Sequence, residues 1–246
     1  MTPMFSLIVA TLLRPSYSVL LSSVRSQTYR NFEFHGRSDP PNEYVARNRA
    51  ANEARGDYLV FTDDDCVLRQ DHLAKLARAI RLSDYPAALG GPLHGNMWGV
   101  GAMDLNEPSW GVGANMVIRR ETFLKLHGFK EDWGLGHPVR GWRADTDMWW
   151  RIEDLGPGAI AWVPDLVVDH PGLMGSQFIP EVEDVFVRAW KTRVIERFIP
   201  VDPRLQQFLL QTQDLTVAEY RKVVAARITL RSKMPGLPVL PEEREV

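Results

Sequence analysis

Tyr58-Leu59-Val60-Phe61-Thr62, followed at once by Asp63-Asp64-Asp65, decides the reading of this chain. The first five residues carry no charge and include the β-branched Val60 and Thr62 and two aromatic rings. A short unbroken run of that kind is a strand buried on both faces, as in a parallel sheet covered by helices. Upstream, Phe5 to Ala10 has the same character. Thr11-Leu12-Leu13-Arg14-Pro15 leaves that strand, and Pro15 suits the first turn of a helix over Tyr17 to Ser26. A strand at Phe32 to His35 and a breaker cluster from Gly36 to Asn42, with Pro40 and Pro41, come next. Asn42 caps a helix carrying Ala46, Ala50 and Ala51, which Gly56 ends. Downstream of the acidic triplet, Leu73, Leu76, Ala77 and Ile80 repeat at helical spacing.

This alternation predicts an α/β fold with a mostly parallel central sheet flanked by helices. Such sheets bind ligands beyond the carboxyl ends of their strands. Thr11 to Arg14, Ser38-Asp39 and Asp63 to Asp65 therefore fall along one edge. Further on, Met116 to Ile118 reads as a strand and Arg120 to Leu126 as a helix closed by Gly128. Residues 131–142, with Gly134, Gly136 and Gly141, read as a loop. Asp145 or Thr146 caps a helix to Leu155, and strands follow at Ala159 to Val163 and Leu166 to Val168. The character changes near Gly175. Residues 1–174 are expected to form one catalytic domain, and 175–246 a C-terminal helical extension with helices near 180–198, 203–213 and 217–230 and a loose tail.

Composition narrows the chemistry. Lysine plus arginine number 29 against 31 acidic residues, so no basic excess points to nucleic acid as partner. Cys66 is the single cysteine, which excludes an intrachain disulfide and suits a reducing cytoplasm. The run Phe5 to Ala10 is too short to span a bilayer, so no transmembrane segment is expected. Side chains alternate along an extended segment, so Asp63 and Asp65 face one way and Asp64 the other. Two carboxylates on one face at a strand end suit a hard divalent cation, Mg²⁺ or Mn²⁺; an acidic turn or helix cap is the plainer reading. Asp145 and Asp147 start a helix, where one carboxylate serves as a cap or, ionised, as a general base. His170 follows a strand and can reach the same edge. Seven of the eight tryptophans lie between Trp98 and Trp162, as core or as a ring-stacking cleft.

Several segments together resemble a known family. They are Phe5 to Pro15, Gln27 to Glu33, Ala46-Arg-Asn-Arg-Ala50, Ala54 to Asp65, Gly113 to Phe123, Gly128-Phe129 and Asp145 to Ile152. In order and spacing they resemble the GT-A glycosyltransferases of the large inverting family 2, which transfer sugars from nucleotide-diphospho-sugars. The resemblance implies a GT-A fold with a Rossmann-like nucleotide-binding half. It implies that Asp63 to Asp65 hold metal and diphosphate, with Asp65 the direct ligand, Asp63 nearer the ribose or behind the ligands, and His170 completing the metal site. Thr11, Arg14 and Asp39 match donor-base contacts, and Arg47 lies on a helix that often faces the donor. Asp145 matches the general base. Three departures are visible: Ser38-Asp39-Pro40-Pro41 stands where the family has Asp-Asp-Gly-Ser, a helix and strand after it are missing, and Ala144 replaces a common Glu.

The reaction so implied is metal-dependent transfer, with inversion, of a sugar from a nucleotide-diphospho-sugar, a UDP-sugar favoured, to a hydroxyl of a carbohydrate or other acceptor. Trp110 and Trp142 are the candidates for stacking on the acceptor. A nucleotidyltransferase is a rival, but Thr11 to Arg14 lacks the glycines of a triphosphate loop. A decayed nucleotide-sugar-binding scaffold is the non-enzymatic rival. Val182, Val185, Phe186, Ala189 and Trp190 share one helix side, which packs on the catalytic domain or serves a homodimer or a peripheral membrane contact.

Overall fold

A computed structural model describes residues 3–39, 42–95, 112–133, 143–170, 185–186 and 188–193. The chain divides into two compact units, Met1–Gly175 and Ser176–Val246. Trp110 and Trp142, most of the loop 131–142 and the expected helices over 203–213 and 217–230 lie outside the described residues. In the second unit the described helical piece joins Trp190 N–H to the Phe186 carbonyl at 3.0 Å.

The first unit opens with β1 (Phe5–Ala10), α1 (Pro15–Arg25), β2 (Phe32–Arg37), α2 (Glu43–Glu53) and β3 (Tyr58–Asp63). Then come β4 (Val67–Leu68), α3 (His72–Leu82), β5 (Ala88–Gly90) and β6 (Leu93–His94). A single 3₁₀ turn at Gly113–Asn115 leads into β7 (Met116–Arg119) and α4 (Arg120–Lys125). After α5 (Ala144–Glu153) the described strands end with β8 (Ile160–Trp162) and β9 (Val168–Asp169).

Six strands form one sheet in the order β2-β1-β3-β7-β5-β8. β1 runs parallel to β2 and β3, and β5 parallel to β8, while β7 is antiparallel to both neighbours. The central strands are the apolar ones. Phe5, Leu7, Ile8 and Val9 of β1 and Leu59 and Phe61 of β3 are wholly buried, whereas β2 and β8 at the two edges are half-exposed. Helix α3 covers one face with Leu73, Leu76, Ala77 and Ile80, which join a core cluster with Leu7, Val60 and Val117.

Element ends follow local chemistry. Pro15 opens α1, with Arg14 extended before it. The Asn42 side chain accepts the Tyr44 and Val45 N–H groups at 2.9 and 3.1 Å and so starts α2. The expected cap of α5 is corrected. The helix begins at Ala144, Arg143 holds the cap position in the left-handed region (φ 61°), and Asp145 sits inside the first turn. Trp133, Trp149 and Trp150 are buried, so for these three packing accounts for the ring. A second sheet, absent from the sequence reading, has the order β4-β9-β6. Its strands are two residues each, and they bring the chain just after Asp65 beside the chain just before His170.

Candidate active site

The parallel strands β1, β2 and β3 end together, as the register Ala10↔Arg37 and Ala10↔Asp63 requires. At that edge the pleat divides the acidic triplet. Asp63 Oδ2 and Asp65 Oδ1 each lie 3.4 Å from His170 Nε2. Asp64 turns the other way: its Oδ2 accepts the Thr11 hydroxyl at 2.9 Å and the Leu12 N–H at 3.1 Å. Thr11 Oγ1 in turn accepts the Leu13 N–H at 2.8 Å, and Leu13 is left-handed (φ 58°). Asp64 thus shapes the loop after β1 that presents Arg14. Asp39 sits at the end of β2, bonded to Arg37 at 2.9 Å with Arg49 at 3.7 Å.

Arg47, on α2, is only 2% exposed and bonds Asp63 Oδ1 through Nη2. A buried guanidinium needs a carboxylate partner. Its carbon lies 5.9 Å from the Tyr44 ring centre and 6.0 Å from that of Phe129, so two aromatic faces line the cation. The arginine also passes close to Gly113, where a Cβ would stand 2.7 Å from its Nη1 and 3.5 Å from Asp145 Oδ2. The same Asp145 oxygen accepts the Gly113 N–H at 3.0 Å, and its Oδ1 accepts the Thr146 N–H at 2.8 Å. Arg47 therefore stands between the strand-end carboxylates and the helix-borne one.

The charges respond to this packing. Burial raises Asp63, but His170 and Arg47 overcome it and hold the carboxyl well below its ordinary value. Burial raises Asp65, and the neighbouring Asp63 and Asp64 add to it, against the attraction of His170. Burial alone would lower His170, yet its two carboxylate neighbours raise it. For Asp145 burial wins: its pKa is raised in spite of the Gly113 and Thr146 N–H groups and Arg47. A helix N-terminus by itself favours the ion; here burial outweighs it and leaves a more basic carboxylate, half-buried and bonded to backbone N–H groups.

One atom each from Asp63, Asp65, Cys66 and His170 lies within 4.8 Å of the others. Two carboxylates and one imidazole nitrogen so gathered fit a hard divalent cation that keeps open positions for phosphate oxygens and water. Cys66, which sequence reasoning left out of this group, is fully buried among core side chains, and burial pushes its thiol well up.

Residues 42–130 match Glycosyl transferase family 2. The succinoglycan biosynthesis protein ExoM of Rhizobium meliloti (strain 1021) is 29% identical in an alignment 140 residues long that covers 52% of this chain and 44% of that protein. The chain thus spans less than half the length of that relative. Among solved structures, residues 1–349 of S. aureus TarS in complex with UDP-GlcNAc superpose with a TM-score of 0.58 at 15% identity, over 85% of this chain and 71% of that one. The mannosyltransferase PcManGT from Pyrobaculum calidifontis, in complex with GDP-Man and Mn²⁺, does so with a TM-score of 0.52 at 16% identity, over 97% and 77%. The chain has the mixed α/β fold of these GT-A enzymes.

Proposed function

We propose that this chain, which resembles the GT-A glycosyltransferases of family 2, is an inverting, metal-dependent hexosyltransferase using a nucleotide-diphospho-sugar. The observation that carries the reading is the join at Arg47. A cation-fitting cluster at the sheet's carboxyl edge and a carboxylate of raised basicity both lie close to one buried guanidinium. The solved relatives are described with UDP-GlcNAc and with GDP-Man and Mn²⁺, which supports a nucleotide-sugar donor and a divalent ion; we favour a UDP-sugar.

Asp63, Asp65 and His170 would hold Mn²⁺ or Mg²⁺, which supplies charge neutralisation for a departing diphosphate. Arg47 keeps Asp63 ionised and aimed. Asp64 braces Thr11, and with it the loop carrying Arg14, where the nucleotide base would lie; Asp39 stands two residues past the end of neighbouring β2. Asp145 takes the proton of the acceptor hydroxyl as that oxygen attacks the anomeric carbon from the face opposite the leaving group, so configuration inverts. General-base assistance of this kind is worth roughly 10²- to 10⁴-fold. Trp110 and Trp142 remain our candidates for stacking on the acceptor. We assign the transfer to residues 1–174 and, from the single buried thiol Cys66, place it in a reducing cytoplasm.

The test is release of nucleoside diphosphate from UDP-glucose, UDP-GlcNAc and GDP-mannose with Mn²⁺, alone and with a panel of simple glycoside acceptors. We expect one donor to be turned over, and Asp145→Asn to bind it with unchanged affinity while turnover falls at least about 100-fold. No release from any pair, with donor still bound, would mark a binding scaffold instead.

A further inference from the structure

Asp147 is as prominent in the sequence as Asp145, yet the proposed reaction gives it no part. Its carboxylate is almost wholly buried and accepts Arg151 Nε at 2.7 Å, one helical turn on. The same guanidinium reaches out of α5. Its Nη1 donates to the Leu126 carbonyl at 2.6 Å and its Nη2 to the Gly128 carbonyl at 2.8 Å. One planar fork thus ties the helix that bears Asp145 to the turn after α4, in a geometry that a point-charge ammonium cannot copy in full.

The far side of that turn is gripped by α2. Asn48 donates Nδ2 to the Phe129 carbonyl at 2.9 Å and accepts the Phe129 N–H on Oδ1 at 2.9 Å. Gly128 is left-handed (φ 70°), and a Cβ there would lie 2.6 Å from Asn48 Oδ1, so the Asn48 side chain closes on the turn only with glycine at this position. The residue before Asn48 is Arg47, which holds Asp63. The turn is therefore wedged between the helix that aims the cation cluster and the helix that carries the carboxylate facing it.

We propose that Arg151 is a positioning residue that, with Asn48, uses the turn 126–129 as a spacer fixing Asp145 relative to Asp63, Asp65 and His170. The inference rests on the reading of Asp145 as the base. Loss of the fork frees the first turn of α5 to shift, and Asp145 Oδ2 then leaves the Gly113 N–H. A displacement of about 1 Å at a reacting group costs on the order of 10²-fold in rate.

The test uses the full chain with Arg151→Met and Arg151→Lys. The Gly113 amide resonance in ¹⁵N-glycine-labelled protein reports the bond to Asp145, with Asp145→Ala as the reference for its loss. UDP with Mn²⁺ reports the binding cluster by calorimetry, and UDP-glucose turnover reports the reaction. Arg151→Met should move the Gly113 amide toward its Asp145→Ala position and lower kcat about 10- to 100-fold, with UDP–Mn²⁺ affinity and donor KM held within about twofold. Arg151→Lys, which keeps the bond to Asp147, should recover part of both. A folded Arg151→Met with the Gly113 amide unmoved overturns the proposal, as does a loss of UDP–Mn²⁺ affinity in step with kcat. If Arg151→Met does not fold, the Gly113 amide of Arg151→Lys decides: displaced supports, unmoved overturns. A displaced amide in a protein whose wild type turns over no donor keeps the positioning role and instead removes the proposed function.

Discussion

Glu33 holds the end of the sheet opposite the candidate site. Its Oε1 accepts the Ser6 hydroxyl at 2.7 Å and the Arg55 N–H at 2.6 Å, while Oε2 accepts Arg55 Nε and Nη2 at 3.0 and 2.9 Å. One carboxylate so links β1, β2 and the lead-in to β3. Burial raises its pKa, but the Arg55 backbone N–H, Ser6, the Arg55 guanidinium and His35 outweigh that and bring it from 4.5 down to about 2. The folded state therefore releases the proton more readily than the unfolded chain. Stability from Glu33 is complete above pH 4.5 and drains away as pH falls toward 2. Urea unfolding of the wild type should weaken steadily across that interval. Glu33→Gln should flatten the dependence and cost about 1 to 2 kcal/mol at neutral pH; an unchanged acid slope would refute the assignment. The same scale shows what a sequence reveals. Alternation along β3 was enough to separate Asp63 and Asp65 from Asp64, because the pleat is local. The partner of Asp64 was not legible, since Thr11 lies 53 residues away. Nor was the burial of Arg47, which depends on two aromatic rings from different segments.

Among elements, the long apolar strands and amphipathic helices announced themselves through periodicity, and their order gave the sheet its parallel character. The reversed β7 did not, because a four-residue apolar strand carries no mark of direction. The sheet β4-β9-β6 escaped notice for a related reason: two-residue strands have no period. Yet this small sheet sets His170. The His170 N–H donates to the His94 carbonyl at 2.7 Å. The next residue, Gly95, has φ 142°, and a Cβ on it would fall 2.1 Å from the His170 carbonyl oxygen. Asn115 secures the approach by donating to the carbonyls of Pro92 and Leu166 at 3.1 and 2.7 Å. Gly95→Ala must push β6 and the His170 backbone apart. Titration followed by the Mn²⁺ spin-resonance signal should show affinity reduced about 10-fold or more, equivalent to about 1.4 kcal/mol. Wild-type Mn²⁺ affinity in Gly95→Ala would show that the imidazole does not depend on this contact.

At the scale of the molecule, the fold gathers groups that are remote in sequence at one edge. The loop after β1, the end of β3 and the residue after β9 converge there, and α5, which carries Asp145, joins them through Gly113. A nucleoside diphosphate with its cation would touch several of these elements at once, whereas the unfolded chain offers no such convergence. Binding must then stabilise the native unit Met1–Gly175 by mass action. At a ligand concentration 100 times Kd the gain is about 2.7 kcal/mol. For a unit of this size each kcal/mol moves the midpoint about 2 to 4 °C, so UDP with Mn²⁺ should raise Tm by about 5 to 10 °C. UDP alone should do much less, because the carboxylates of Asp63 and Asp65 repel its diphosphate unless a cation intervenes. Asp65→Ala removes one arm of the cluster while sparing the Arg47–Asp63 pair that keeps α2 in place. In that variant the Mn²⁺-dependent part of the shift should vanish and the unliganded Tm should stay close to wild type. If Asp65→Ala keeps the full Mn²⁺-dependent shift, the cation binds elsewhere, and the convergence of strand ends at this edge serves another purpose.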